Sequence, residues 1–294
     1  MRYILTAEQM KASDMATICE IGIPSLVLME RAALRCVEVM KEEQIDLTKP
    51  LIVCGSGNNG GDGVAVARLL FEEGYTPEVV FVGNMSSRSQ EMRAQMEILE
   101  KLGVSFGNSL PDREYSVIID AVFGIGLSRI IEGRYREIIE QMNRYKGAKV
   151  AIDIASGISA DTGQILGCAF RADLTVTFAY GKAGQYFYPG CDYSGRTVVR
   201  PIGIRNQALE LSDEVYCSLE RADLRRQMPV RPADSHKGTF GRVLMITGSK
   251  GMSGAAYLAA KAAYLTGAGL VQIYTEESNR QILQAFAGSG AHHI

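Results

Sequence analysis

Three acids and two amides stand where their side chains could do chemistry. Asn58, Asn59 and Asp62 lie in the glycine-dense stretch Cys54-Gly55-Ser56-Gly57-Asn58-Asn59-Gly60-Gly61-Asp62-Gly63. Asp120 follows the apolar run Val117-Ile118-Ile119, and Asp153 follows Val150-Ala151-Ile152. A carboxylate at the end of a buried strand can ligate a cation, exchange protons, or cap the next turn. Two of them at one sheet edge need a cation, a shared proton or a polar ligand to relieve their repulsion. Lys182, in Tyr180-Gly181-Lys182-Ala183-Gly184, either completes such a proton-transfer set or is a surface lysine. Glycines let a ligand approach the backbone, and free amides at a helix start favour an anion. Yet the stretch fits neither a dinucleotide fingerprint nor a P-loop, since no Gly-Lys-Ser/Thr follows. In Asp120-Ala121-Val122-Phe123-Gly124-Ile125-Gly126-Leu127-Ser128-Arg129, the Gly-x-Gly step opens amides to a phosphate and Arg129 can answer its charge. A plain turn is the competing reading of that stretch. The third acid opens Asp153-Ile154-Ala155-Ser156-Gly157, whereas Asp161-Thr162-Gly163 reads as a turn.

The elements that must position these residues alternate. Thr6-Ala7-Glu8-Gln9 resembles a capping box opening a short helix. Leu26, Met29, Ala33, Val37 and Met40 recur at helical spacing and predict a helix from Ser25 to about Glu43. Within it, Met29-Glu30-Arg31-Ala32-Ala33 could serve a site or a homodimer contact. Strands are expected at 51–54, 78–82, 117–120, 149–153, 173–178 and 196–200, with helices at 64–73, 87–102 and 133–145. The fold class is therefore α/β: a three-layer αβα, Rossmann-like sandwich on a mainly parallel sheet covered on both faces. Ligands of such sheets sit beyond the carboxyl ends of the strands, which brings the loops after Val53, Ile119 and Ile152 to one edge.

The segment from about Leu211 to Pro232 reads as a linker with a short helix. A new unit then begins with strand 242–247, loop 248–251, helix 253–266 and strand 269–274. A lone βαβ unit cannot bury both faces of its sheet, so it reads as the incomplete start of a larger domain. The resulting division is 1–215, a linker at 216–235, and 236–294. The ending Gly288-Ser289-Gly290-Ala291-His292-His293-Ile294 reads as a frayed terminus rather than a metal site.

Composition excludes several classes. With 47% apolar and 22% charged residues, the chain of 294 is that of a soluble globular protein. A net charge of -2 provides no basic footprint for nucleic acid. The six cysteines form no CxxC pairs and read as reduced buried thiols. With neither a secretory leader nor a membrane span, a cytoplasmic location is expected.

Taken together and in order, the stretches 58–63, 120–129 and 153–157 resemble the NAD(P)H-hydrate epimerase (YjeF N-terminal) family over roughly residues 1–215. Residues 236–286 resemble the opening of the ADP-dependent NAD(P)H-hydrate dehydratase domain, a ribokinase-like α/β fold. In many bacteria the two are fused as one bifunctional repair enzyme. The resemblance implies a substrate, NADH or NADPH hydrated at C6 of the nicotinamide ring (NADHX or NADPHX), whose R and S forms are interconverted. It also implies a potassium ion held by Asn59, Asp120 and Ser156. The implied substrate contacts are Asn58, Asn59, Gly60, Gly61, Asp62, Gly124, Ile125, Gly126, Leu127, Ser128, Arg129, Ile130 and Asp153. Opening the C6–O or the C6–N bond would give a species that closes on either face, with Asp120 or Asp153 as acid/base and Lys182 or the ion tuning it. The family has proline where this chain has Ala155. The dehydratase family's catalytic aspartate and ADP contacts lie near a late Gly-Ala-Gly-Asp, whereas Gly267-Ala268-Gly269 here precedes Leu270, so dehydration is not expected of this chain. A dinucleotide oxidoreductase would need an acid ending its second strand, which here ends Phe81-Val82-Gly83-Asn84. A non-catalytic binding or scaffold module of the same fold is the alternative; retention of Asn59, Asp62, Asp120 and Asp153 argues for a working site.

Overall fold

The computed structural model describes residues 2–204 and 216–286. The expected domain end at 215 and the tail from Gly288 fall outside them. The chain divides into two compact units, Met1–Asp223 and Leu224–Ile294. In chain order the first contains β1 (Arg2–Leu5), α1 (Ala7–Cys19), α2 (Ser25–Glu42), β2 (Pro50–Cys54), α3 (Asn58–Glu72) and β3 (Glu78–Phe81). There follow α4 (Gln90–Lys101), β4 (Phe106–Gly107), β5 (Val117–Ala121), α5 (Gly133–Arg144) and β6 (Ala148–Ile152). The unit closes with β7 (Leu174–Phe178), β8 (Gly181–Lys182), α6 (Gly190–Ser194), β9 (Arg196–Arg200) and β10 (Tyr216–Ser218).

Seven strands form one sheet in the order β4-β3-β2-β5-β6-β7-β9, and every neighbouring pair is parallel. The central strands β2, β5 and β7 are buried throughout, as a parallel sheet covered on both faces requires. Alternation along β2 assigns the layers. Ile52 and Cys54 join one core with Leu28, Val64 and Met92, from α2, α3 and α4. Leu51 and Val53 join the other with Ile138, Ile139 and Met142 of α5. The chain winds outward from β2 through β3 to β4, then restarts at β5 on the other side, so the topological switch lies between β2 and β5.

One difference from the sequence reading bears on the site. α3 starts at Asn58, six residues before the expected start, because glycines 60, 61 and 63 let its first turns press against the sheet and its neighbours. A Cβ on Gly60 would lie 2.0 Å from the Gly55 carbonyl oxygen, and one on Gly63 would lie 2.4 Å from Ala121 Cβ. The glycine stretch is thus loop only to Gly57. Asp120 lies within β5, as in the strand expected at 117–120, opposite Val53 on one side and Ala151 on the other.

A second, small sheet was not foreseen. β1 pairs antiparallel with β10 and parallel with β8, with Leu5 opposite Lys182. Tyr216–Ser218, expected in the linker, therefore pairs within the first unit. α1 is held by the anticipated capping box, since Gln9 N–H donates to Thr6 Oγ1 and Thr6 N–H to Gln9 Oε1. Cys36 and Cys54 are buried thiols, but Cys19 and Cys217 are exposed, unlike the buried set expected. Met29, Ala32 and Ala33 are buried within the unit, Glu30 pairs with Arg68, and Met29 and Ala32 line the cavity described below.

α7 (Arg221–Gln227) crosses the division between the units. The second unit contains β11 (Arg242–Ile246), α8 (Ser253–Thr266), β12 (Leu270–Tyr274) and α9 (Arg280–Phe286), with β11 and β12 parallel. Leu244, Ile246 and Leu265 are 64%, 78% and 79% exposed, which is the unburied sheet and helix face a lone βαβ unit entails. Among the described residues, no helix is long and apolar enough to cross a membrane.

Candidate active site

The carboxyl ends of β2, β5 and β6 meet at a cavity of about 560 Å³, within the usual range for small-ligand sites. Its wall holds Asn58, Asn59 and Asp62 from the start of α3, residues 124–129 from the loop after β5, Asp153 after β6, and Lys182 on β8. Gly60, Gly61 and Ile130, expected as contacts, are not part of that wall. Both glycines face protein, and Ile130 is 63% exposed.

Asp153 occupies the left-handed backbone region at φ 65°, costly for a non-glycine residue and sustained only when neighbours fix it. They do so on every side. Its N–H donates to the Val176 carbonyl at 2.8 Å, and Gln185 Nε2 donates to its own carbonyl at 2.7 Å. Lys182 Nζ donates to Asp153 Oδ1 at 2.5 Å, to Thr177 Oγ1 at 2.7 Å and to the Phe178 carbonyl at 3.1 Å. All three ammonium protons are thereby used. Lys182 is 1% exposed, which excludes the surface reading. A buried lysine keeps its charge only beside a partner such as this carboxylate.

Asp120 and Asp153 do not form the pair expected of them. Asp120 is fully buried beneath the cavity and serves Ser156 instead. Ser156 N–H donates to Oδ2 at 2.7 Å, Ser156 Oγ–H to Oδ1 at 2.7 Å, and Val122 N–H to Oδ1 at 3.1 Å. Burial pushes its carboxyl up to about 6, against the opposing pull of these hydrogen bonds. No cation neutralises it among the described residues. Beside Gly124, in the loop after β5, the Asn59 side chain is buried with both Oδ1 and Nδ2 unpartnered; a Cβ on Gly124 would lie 3.2 Å from Asn59 Cβ. A buried amide normally finds partners, so this orphan points to an absent ligand. Amide, carboxylate and hydroxyl oxygens of low total charge fit a monovalent hard cation. Among the described residues no three His, Cys, Asp or Glu gather as a divalent or transition-metal site.

Asp14 on α1 also lines the cavity and was not singled out from the sequence. The available signal was its place in Met10-x-x-Ser13-Asp14-x-x-Thr17, a helical repeat whose Met10, Ser13 and Thr17 are buried. Burial and the nearby Asp153 push Asp14 up to about 6, with Lys182 pulling the other way. Burial, then Asp153 and Asp14, also push Asp62 well above the usual carboxylate range.

Comparison with known proteins bears on the whole arrangement. Residues 25–184 match the family model described as YjeF-related protein N-terminus, and residues 243–288 match that described as NAD(P)H-hydrate dehydratase. An NAD(P)H-hydrate epimerase of Weissella koreensis is 47% identical over 205 residues, covering 69% of this chain and 93% of the relative. One from Limosilactobacillus fermentum is 43% identical over 198 residues, covering 66% and 94%. A bifunctional NAD(P)H-hydrate repair enzyme of Moorella thermoacetica is 38% identical over 282 residues; the match takes in 92% of this chain but only 53% of that enzyme, so the chain spans about half its length. The crystal structure of yeast ynu0 superimposes with a TM-score of 0.57 at 19% identity, covering 67% of this chain and 87% of that one, a likeness of fold.

Proposed function

The chain belongs to the YjeF-related N-terminal family, and from that premise we propose that its first unit is an NAD(P)H-hydrate epimerase, interconverting the R and S forms of NADHX or NADPHX. The observation that carries this reading is Asp153: strained, ion-paired with a buried lysine, and facing a cavity at the switch point of the sheet. Asn58, Asp62 and residues 124–129 would contact the hydrate. The α3 N-terminus has no side-chain cap, so its amides are available to the pyrophosphate.

The proton transfer belongs to Asp153 rather than Asp120, because only Asp153 reaches the cavity. A proton passes from a carboxyl of the cavity wall to the C6 hydroxyl, whose oxygen leaves as water with the bonding pair, and the N1 lone pair forms the C6=N1 bond. C6 is then planar. Water returns to either face and gives its extra proton back to the carboxylate. Lys182 holds Asp153 in place through its hydrogen bond to Oδ1. Asn59, Asp120 and Ser156 would hold a potassium ion, a reading supported by the orphan Asn59 amide and the uncompensated Asp120. When bound, the ion supplies a fixed positive charge beneath the site.

The test is R/S exchange on mixed hydrates, with and without potassium, for the parent and Asp153→Asn. The parent is expected to exchange the forms, and the variant to lose about 100-fold or more. In ¹⁸O-labelled water each epimerisation should place one label on C6, whereas opening of the C6–N bond would not. Absence of exchange in the parent under both conditions would leave a binding module of the same fold.

A further inference from the structure

Three carboxylates, Asp14, Asp62 and Asp153, converge on this cavity around a single buried ammonium. Lys182 spends its three donors on Asp153, Thr177 and Phe178, so none remains for the other two acids. Neither the Asp14 nor the Asp62 carboxylate has a hydrogen-bond or ion-pair partner among the described residues. Three negative charges facing one positive charge in a half-enclosed space favour a retained proton.

We propose that Asp14 is a second proton-transfer group of this site, acting as the acid/base partner of Asp153. The inference rests on the epimerase reading above. An epimerase must give a proton to the departing oxygen on one face and take one from the water returning on the other. A single carboxylate serves both faces only if the ring turns over within the cavity; two carboxylates from different elements do not require that. Asp153 arrives from the end of β6, and Asp14 from a separate element, α1. Asp14 gives its proton to the C6 oxygen, which departs as water; a second water adds to C6 and yields a proton to Asp153. In the reverse direction the two exchange roles, and proton exchange with solvent resets the pair.

The architecture holds Asp14 in register with this partner. Leu5 of β1 lies opposite Lys182 of β8, and α1 begins two residues later. Ala7 N–H donates to Asp161 Oδ1 at 2.6 Å, tying the helix start to the loop after β6. The neighbouring Ser13 and Thr17 hydroxyls donate back to the Gln9 and Ser13 carbonyls at 2.9 and 2.8 Å, so they make no demand on the Asp14 carboxylate. Around the cavity the charged groups facing Asp14 are Lys11 on α1 itself, Asp62 on α3, Glu91 on α4, Arg129 after β5, Asp153 and Lys182.

The experiment compares the full chain with Asp14→Asn and Asp14→Glu in the mixed-hydrate assay across pH. Asp14→Asn is expected to lower kcat about 100-fold with KM little changed, and to remove a limb near pH 6 from the kcat/KM profile. Asp14→Glu should retain that limb and at least about a tenth of the rate. A rate for Asp14→Asn within about twofold of the parent would overturn the proposal, as would a slow variant that keeps the limb. Should Asp14→Asn fail to fold, the ¹³C titration of Asp14 in the parent, assigned with the Glu variant, decides: a carboxyl without proton exchange between about pH 5 and 7 defeats it. A parent without any R/S exchange defeats the epimerase reading instead, so the two failures are distinguishable.

Discussion

At the residue scale, the site separates two tasks that the adjacent acids seemed to share. Asp120 is buried against Ser156 and two backbone amides, at the place of the proposed cation and off the cavity wall. Asp153 reaches the cavity and has its ammonium partner. The cation half of this division has a readout independent of catalysis. A ligand bound only to the folded state at about 100 times its Kd adds about 2.7 kcal/mol of stability. Potassium chloride should therefore raise the melting temperature of the parent above that in choline chloride of equal ionic strength. Asn59→Ala, which removes the orphaned amide, should abolish the increment. An equal response in both proteins would place the ion elsewhere. Asp120 and Asp153 were legible in the sequence because an acid at the end of an apolar strand stands out, and Asn59 because amides among clustered glycines do. Asp14 was not, because one acid among the polar residues of a surface-like helix carries no mark until β1 and β8 pair and turn that helix face inward.

At the element scale, the glycine stretch serves packing as much as binding. Helix propensity alone would make Gly63→Ala stabilising by about 1 kcal/mol. The added Cβ would meet Ala121 Cβ at 2.4 Å and Cys54 Sγ at 3.0 Å, both fixed on central strands. Overpacking of that kind costs about 1–3 kcal/mol, so the net effect should be loss of stability, read from urea unfolding with an unchanged m-value. A more stable variant would show that α3 can move off the sheet. The periodicity of α2 and the apolar runs of β2, β5, β6 and β7 made the main sheet readable in advance. The start of α3 was hidden because glycine is a poor helix former by local preference, and here tertiary contact overrides it. β1, β8 and β10, of 4, 2 and 3 residues, are too short for any alternation to register.

At the scale of the whole molecule, every residue lining the cavity falls between Met10 and Ile204, inside the first compact unit. A chain of residues 1–223 should therefore unfold cooperatively and epimerise within about twofold of the full chain. A large loss on removing the second unit would show that the site depends on it. The sequence by itself determined the fold class, the mainly parallel sheet of buried strands and the three polar loops at their ends, since each is written in local runs and spacings. Tertiary structure decided that Asp153 faces the cavity, that Asp120 lies beneath it, and that α1 adds Asp14 to the wall. Those outcomes depend on strand register and on contacts between residues far apart in the chain, such as Lys182 with Asp153 and Leu5 opposite Lys182, which no local pattern encodes.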